Sequence, residues 1–161
     1  MNRFTKFVVR FAKTENVERQ SLYKEPHAEI FFDAQLNCTG IIWQGPITSE
    51  QYRAVFQKCL DFVKVYNTPN YLADISHQGQ ISKEDQQWMF QNILPDATRN
   101  GMRRIAAVQP NIENPVVQEY LKGINESLLK LGARQEFFHT MKEAMDWIQQ
   151  ENEIATLHNE S

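Results

Sequence analysis

The sequence predicts an α/β domain in which a mixed, mostly parallel sheet of about five strands is flanked by about four helices. Two observations lead to this fold class. Short runs rich in β-branched and aromatic residues alternate along the chain with longer segments whose apolar residues recur at helical spacing. The first two strand-like runs are separated only by a tight turn, which adds one antiparallel pair before the alternation begins. The predicted order is therefore ββαβαβαβα.

The predicted strands are short and apolar, and residues that favour turns or helix starts bound each of them. The opening antiparallel pair comprises residues 28–33 and 36–44. The remaining strands each lie between two helical segments, so they are expected to pair in parallel through helical crossovers. These three strands are residues 71–75, 104–109 and 134–139.

The predicted helices begin at polar residues that satisfy free backbone N–H groups. Thr48 and Gln51 have the spacing of a capping box, in which each side chain accepts the backbone N–H of the other residue. Ser82, Asn114 and Thr140 stand at the starts of the three later apolar stripes. Each of the four amphipathic segments therefore has a defined first turn.

The ends of the predicted helices coincide with residues that cannot continue them. Pro95 is expected to kink or break the second helix, because it lacks an N–H and clashes with the preceding turn. Gly132 supplies the left-handed residue that stops the third helix. A polar tail over residues 151–161 is expected to fray. Residues 1–25 are read as an N-terminal extension, either an extra strand or helix on the domain or a partner-docking arm, which leaves residues 26–150 as the α/β domain.

The composition predicts a cytoplasmic protein without a general affinity for nucleic acid or membranes. The chain has 161 residues and a formal net charge of −3, so no overall positive charge attracts phosphate backbones or anionic lipids. No apolar run approaches the ~20 residues of a membrane span, and the N-terminus lacks a signal-peptide pattern. Cys38 and Cys59 are isolated, which favours free buried thiols in a reducing compartment.

The motifs of common cofactor and metal sites are missing from the sequence. A phosphate-binding loop needs several glycines between a strand and a helix, whereas the candidate loops contain Gly79 alone or no glycine. The histidines are far apart and not at metal-ligand spacing. They are His27, His77, His139 and His158. We therefore expect neither a cofactor nor a metal site.

A cluster of polar residues lies at the end of a predicted strand. Asp74, Ser76 and His77 stand at the carboxyl edge of the sheet, where ligands of parallel sheets usually bind. The same residue types form hydrolase sites, but this segment has no GxSxG elbow, and residues so close along an extended loop rarely face one another. We expect Asp74 and Ser76 to hydrogen-bond the loop backbone instead. The sequence therefore predicts that the protein is not an enzyme, with a hydrolase as the less favoured alternative.

Short motifs scattered between about residues 28 and 150 carry a family resemblance. They include W-x-G at Trp43 and Gly45, L-A-D at residues 72–74 and G-x-I-S-x-E-D-Q-x-W at residues 79–88. The later segments I-A-A-V-Q-P and F-F-H-T-x-x-E-A-x-x-W-I add to them. Together these motifs resemble the bacterial SpoIIAA-like proteins, which belong with the STAS domains and are compared in fold with CRAL-TRIO lipid-binding domains. The resemblance implies a regulatory domain that works by binding, often without catalysis.

The resemblance also points to one serine. Anti-sigma antagonists of this kind are phosphorylated on a serine at the start of the helix that follows the third strand, and Ser82 stands at the closest position here. The family's Asp-Ser-Ser-Gly-like run is replaced by Ser82-Lys83-Glu84-Asp85. The two acids would repel a phosphate, and Ser82 is already explained as a helix cap.

Two functions follow as hypotheses. The first is a non-enzymatic binding or regulatory module that contacts an unidentified protein partner, with a homodimer also expected, since an exposed aromatic near a rim favours a two-fold interface. The second is a small, lipid-like apolar-ligand carrier, which needs an apolar cavity of at least ~300 Å³. Both would use a surface that we call the candidate rim. Its residues are Asp74, Ser76, His77, Gln78, Ser82, Trp88, Pro110 and Asn111.

Overall fold

A computed structural model describes residues 19–160 and has the predicted α/β class, with a mixed, mostly parallel sheet. The strands are β1 (Arg19–Glu25), β2 (Ala28–Asp33), β3 (Cys38–Gln44), β4 (Asn70–His77), β5 (Arg104–Val108) and β6 (Arg134–Phe138). The helices are α1 (Ser49–Tyr66), α2 (Lys83–Asn92), α3 (Leu94–Arg99), α4 (Pro115–Lys130) and α5 (Met141–Glu160). Residues 1–18 of the predicted N-terminal extension, and Ser161, lie outside the described residues.

The six strands follow one another across the sheet in chain order. β1, β2 and β3 pair antiparallel, whereas β3, β4, β5 and β6 are parallel. The register brings Ile41, Ala73, Ala107 and Phe137 into one row across the parallel strands. Because all four parallel strands end at the same edge, the loops that follow them are neighbours in space.

Helices cover both faces of the sheet. Side chains of a strand alternate between faces, so Tyr71 and Ala73 pack toward α1, α3 and α4, whereas Leu72 packs toward α5. The crossover connections between parallel strands are right-handed. Because β3 to β6 follow one another across the sheet in one direction, their connecting helices all lie on the same face. The last helix has no further strand to reach, and it covers the opposite face with Ala144 and Ile148.

The predicted caps and stops largely form as expected. Thr48 Oγ1 accepts the Gln51 N–H at 3.1 Å, and Gln51 Oε1 accepts the Thr48 N–H at 3.0 Å. Ser82 and Asn114 accept first-turn N–H groups of α2 and α4. The predicted break near Pro95 separates α2 from α3. This division gives five helices within residues 19–160, where about four were expected.

The sheet gains a strand that the sequence left undecided. Arg19–Glu25, assigned to the extension, form β1 at the sheet edge, so the strand count is six. Most of its side chains are exposed, and Leu22 and Tyr23 are only half-buried. An edge strand without a fully buried face does not need alternating apolar residues. The sequence of Arg19–Glu25 therefore lacks the alternation by which a strand is predicted.

The predicted frayed tail is instead the second half of α5. Asn152 Nδ2 donates to the Leu36 carbonyl at 2.7 Å, and Asn152 Oδ1 accepts from Asn70 Nδ2 at 2.8 Å. The neighbouring Glu151 forms an ion pair with Arg134. These contacts tie the helix to the amino-terminal edge of the sheet, so it stays helical through its last turns.

Gly40 in β3 has no room for a side chain, whereas Gly123 in α4 has open space beside it. This difference gives a test of the fold. A Cβ atom on Gly40 would lie 2.3 Å from Phe31 Cζ and 2.9 Å from the Leu72 carbonyl oxygen. A Cβ atom on Gly123, within α4, would meet nothing within 4 Å. We expect Gly40→Ala to destabilise the protein by about 1–3 kcal/mol, because the core is overpacked.

For Gly123→Ala we expect a gain of about 0.5–1 kcal/mol, because alanine favours the helix. Urea unfolding followed by circular dichroism measures both changes. A shift of both variants in the same direction would contradict this account of the packing.

Candidate functional site

A cavity of about 240 Å³ lies between the sheet and the helices of the α1–α4 face. Its floor is the centre of the parallel sheet, where Ala73 of β4 stands opposite Ala107 of β5. Because two methyl side chains lie side by side at this point, the sheet does not fill the space beneath α2 and α4. The cavity opens near the carboxyl ends of the strands, beside Gln78 and Gln109.

One wall of the cavity is a cluster of three buried aromatic rings. Trp43 and Tyr52 are stacked with ring centroids 5.5 Å apart, and Phe56 lies 5.4 Å from Trp43 and 4.8 Å from Tyr52. All three residues are buried and line the cavity. Aromatic rings packed at these distances make favourable contacts with one another and form one continuous wall.

The remaining walls are aliphatic or aromatic. Helix α4 contributes a stripe at helical spacing, and α2, α3 and β6 complete the enclosure. The α4 stripe is the one that the sequence predicted as core. The principal apolar side chains of these walls are Ile81, Met89, Phe90, Leu94, Leu121, Ile124, Leu128 and Phe137.

The polar groups of the cavity are amides and phenols. Gln86 Nε2 donates to the Ile81 carbonyl at 3.2 Å, and Gln109 Oε1 accepts the Asn111 N–H at 3.4 Å. Gln135, on β6, is half-buried and also lines the cavity. Among the described residues, the lining contains no Asp, Glu, Lys, Arg or His side chain.

Tyr71 lines both the cavity and a second void of about 30 Å³. Its hydroxyl is buried and has no hydrogen-bond partner among the described residues. Burial raises the pKa of Tyr71 well above its usual value, with further contributions from Cys59, Tyr52 and Cys38. The phenol is therefore neutral at physiological pH and offers no base for proton transfer.

The mouth of the cavity is shaped by two loops in backbone contact. The Gly45 N–H donates to the His77 carbonyl at 2.5 Å. A Cβ atom on Gly45 would lie 2.7 Å from the Gln78 carbonyl oxygen, so a side chain does not fit there. Gly79 has a φ of +77°, which glycine adopts without strain. The W-x-G motif thus places the loop that carries Gln78 and Gly79 against the cavity.

A buried carboxylate joins α2 to α1 beside the cavity. Asp85 Oδ1 accepts hydrogen bonds from Ser49 Oγ at 2.7 Å and from Arg53 Nε at 2.8 Å. The Asp85 N–H donates to the Ser82 hydroxyl, and the Arg53 guanidinium lies 5.2 Å from the centre of the Trp88 ring. The hydrogen bond from Ser49, followed by those from Arg53 and Ser82, holds the pKa of Asp85 below its usual range.

Asp74, Ser76 and His77 all lie within β4, because this strand continues to His77 and does not end at the predicted residue 75. Asp74 Oδ1 accepts the Ser76 backbone N–H at 3.0 Å, as expected for an aspartate two residues before that N–H. His77 is exposed. Within residues 19–160 no hydrogen bond joins the side chains of Asp74, Ser76 and His77. The arrangement lacks the nucleophile–base contact that a hydrolase of this type requires.

The rest of the candidate rim is divided between the cavity and the surface. Gln78 lines the cavity, whereas Trp88 packs beside the core and under Arg53. Ser82 is exposed and caps α2. Pro110 and Asn111 are exposed in the loop after β5. The structure thus brings the rim loops around the mouth of the cavity, and their role in partner binding stays a prediction.

Several residues of the cavity had no signal as functional residues in the sequence. Ala73 and Ala107 read as ordinary strand residues, and Leu121 read as part of a core stripe. Gln135 is a single amide in a short strand, which carries no motif. The useful signal was the pairing of small residues in two neighbouring strands, L-A-D and I-A-A-V, once their register was known.

The described part of the chain has neither a metal-binding cluster nor a helix that could span a membrane. Across residues 19–160, no three His, Cys, Asp or Glu side chains come together in a way that could hold a metal ion. Over the same residues, every helix is too short or too polar to cross a bilayer. Cys38 and Cys59 are free and buried, and burial raises the pKa of both thiols.

Comparisons with known proteins add little to this description. No family model matches the chain, and no curated protein matches it. Two chains among solved structures match. One is the NMR structure of the protein TM1081, with 18% sequence identity and a TM-score of 0.47, covering 70% of this chain and 82% of that chain. A likeness at this level carries no argument about function.

The Asp85 contacts predict a pH-dependent contribution to stability. Because the folded-state pKa of Asp85 is lowered, its stabilisation is present above the unfolded-state pKa of about 3.9 and is lost as pH falls through the folded-state pKa. We expect Asp85→Asn to cost about 1–3 kcal/mol near neutral pH, because two donors lose a charged acceptor. The difference from the parent should shrink below about pH 4.

Urea unfolding at several pH values measures this difference. Asp61→Asn is a matched control, because Asp61 is an exposed residue of α1. Its stability should follow the parent at every pH. A penalty for Asp85→Asn that is constant down to acid pH would contradict the assignment.

Proposed function

We propose that this protein is a non-enzymatic binding module whose cavity takes a small, mainly apolar ligand. The observation that carries the proposal is the cavity itself, about 240 Å³ of space walled by aromatic and aliphatic side chains. Protein interiors are close-packed and hold few voids larger than a water molecule. An apolar space of this size beneath two helices supports the binding of a small ligand.

The volume of the cavity argues against a lipid-like carrier. The cavity measures about 240 Å³, which is below the ~300 Å³ that the lipid-like carrier requires, so that hypothesis fails its own size criterion and only a more compact ligand is proposed. A long-chain lipid is therefore a poor candidate, and a compact molecule is a better one. The packed ring cluster of Trp43, Tyr52 and Phe56 favours a ligand that enters a preformed space.

The chemistry of the lining supports binding without catalysis. Among the described residues that line the cavity there is no Ser, Thr, Cys, His, Asp, Glu, Lys or Arg. General acid–base and nucleophilic catalysis need such groups within hydrogen-bond reach of the substrate. Glutamine amides recognise a ligand through hydrogen bonds and leave its bonds intact.

The proposal is tested with a substitution whose larger side chain fills the cavity. Ala107→Leu adds a branched side chain at the floor, and Ala54→Leu makes the same change at an exposed position of α1. We expect 1-octanol and benzyl alcohol to bind the parent and the Ala54→Leu control, and to raise their melting temperatures. Ala107→Leu should reduce the affinity at least about tenfold, a loss of about 1.4 kcal/mol.

Isothermal titration calorimetry and thermal melts followed by circular dichroism provide the readouts. Native mass spectrometry of the protein purified from its own host adds an independent check, since a retained ligand appears as added mass. Failure of both alcohols to bind the parent, with no added mass, would overturn the ligand-binding proposal.

A second candidate function is contact with a protein partner through the candidate rim. It is favoured by the exposure of His77, Ser82, Pro110 and Asn111 around the cavity mouth. This proposal includes the expected SpoIIAA-like kinship, a regulatory role and a bacterial cytoplasmic location, all of which rest on the sequence motifs. A homodimer through the same surface also stays a prediction.

Cross-linking in a host lysate tests the partner proposal. We expect a defined partner whose cross-links map to the rim and disappear with the double change His77→Ala and Asn111→Ala. Gln57→Ala, an exposed change on α1, should leave the same cross-links intact. Cross-links that survive the double change, or that map away from the rim, would contradict the assignment.

A further inference from the structure

We propose that the cavity selects an uncharged ligand of about ten non-hydrogen atoms with one hydrogen-bonding group, and that the Gln135 amide recognises this group. The inference rests on the proposed ligand-binding function and goes further by naming the chemical class of the ligand. The number of atoms follows from the cavity volume, since an engineered apolar cavity of ~150 Å³ holds benzene with its roughly six non-hydrogen atoms. Compact alcohols, ketones and primary amides of medium chain length fit this description.

The neutral character of the ligand follows from the lining. The described residues around the cavity supply no ionised side chain of either sign. The buried carboxylate of Asp85, on α2, is already bound by Ser49 and Arg53. An ion placed in an apolar space without a partner loses its hydration and gains no counter-charge, a penalty that uncharged polar groups largely avoid.

Gln135 is the best-placed amide for recognition. It pairs with Ile105 on the neighbouring strand and lies on the same strand face as Phe137, two residues farther from the carboxyl edge. Its side chain is half-buried and makes no hydrogen bond to the described residues. A free carboxamide both donates and accepts, so it complements a hydroxyl, a carbonyl or another amide.

The other polar groups of the cavity are less available. Gln86 and Gln109 already hydrogen-bond the backbone at Ile81 and Asn111. Gln78 stands at the mouth, where water competes for its amide. The Tyr71 hydroxyl is sealed inside the protein, so a ligand in the cavity does not reach it without a side-chain movement. Gln135 is therefore the strand-borne amide of the cavity that makes no hydrogen bond to the described residues.

The selectivity is tested with three probes of the same chain length, namely octanamide, octanoate and octylammonium. We expect octanamide to bind the parent protein at neutral pH, and the two ions to bind at least about tenfold more weakly, which corresponds to about 1.4 kcal/mol. Isothermal titration calorimetry measures all three. Octanoate or octylammonium binding as tightly as octanamide would overturn the inference.

The role of Gln135 is tested with two variants. Gln135→Leu should weaken octanamide binding by about threefold to tenfold, the usual worth of a neutral hydrogen bond, while leaving toluene binding unchanged. Gln135→Arg should instead gain octanoate binding, because it supplies the missing counter-charge. Gln149→Leu, an exposed change on α5, is the matched control and should leave all affinities at the parent values.

The outcomes separate this inference from the proposed function. If toluene and the alcohols bind but all charged and neutral octyl probes bind equally, the ligand-binding function holds and the selectivity is wrong. If octanamide binds with an affinity that Gln135→Leu does not change, the recognising group is wrong. If no probe binds at all, both proposals fail together.

Discussion

The cavity depends on one packing constraint, the pairing of two alanines at the centre of the parallel sheet. Ala73 stands opposite Ala107, with Ile41 and Phe137 completing the row on either side. Larger side chains at the two central positions would occupy the space beneath α2 and α4. The helices α2 and α4 lie over this space and contribute side chains to its walls. Small residues at the centre and large residues around them thus leave a cavity in part of the core face.

Two polar networks at opposite edges of the sheet hold the layers in place. At the carboxyl edge, Asp85 ties the start of α2 to Ser49 and Arg53 of α1. At the amino edge, Asn70 and Asn152 join β4 to the second half of α5. Each network satisfies polar groups that burial would otherwise penalise, so each fixes a position as well as contributing stability. None of the residues of these two networks lines the cavity.

Local signals predicted most of the fold, and long-range pairing decided what they missed. The capping pairs and the alternation of strand and helix patterns are readable because each depends on neighbours in sequence. The edge strand Arg19–Glu25 lacks a buried face, and the helicity of residues 151–160 depends on partners as distant as Leu36. The cavity could not be predicted from the sequence for the same reason, since Ala73 and Ala107 become neighbours only through the register of β4 and β5. An amphipathic stripe on α4 looks identical whether it covers a core or a cavity.

The two proposed functions involve the same loop, and this has a thermodynamic consequence. Gln78 belongs to the candidate rim and also lines the cavity, and the Gly45 backbone contact fixes the loop that carries it. A ligand in the cavity and a protein on the rim would therefore bear on the same short segment. If the ligand changes the affinity for the partner, the partner must change the affinity for the ligand by the same factor.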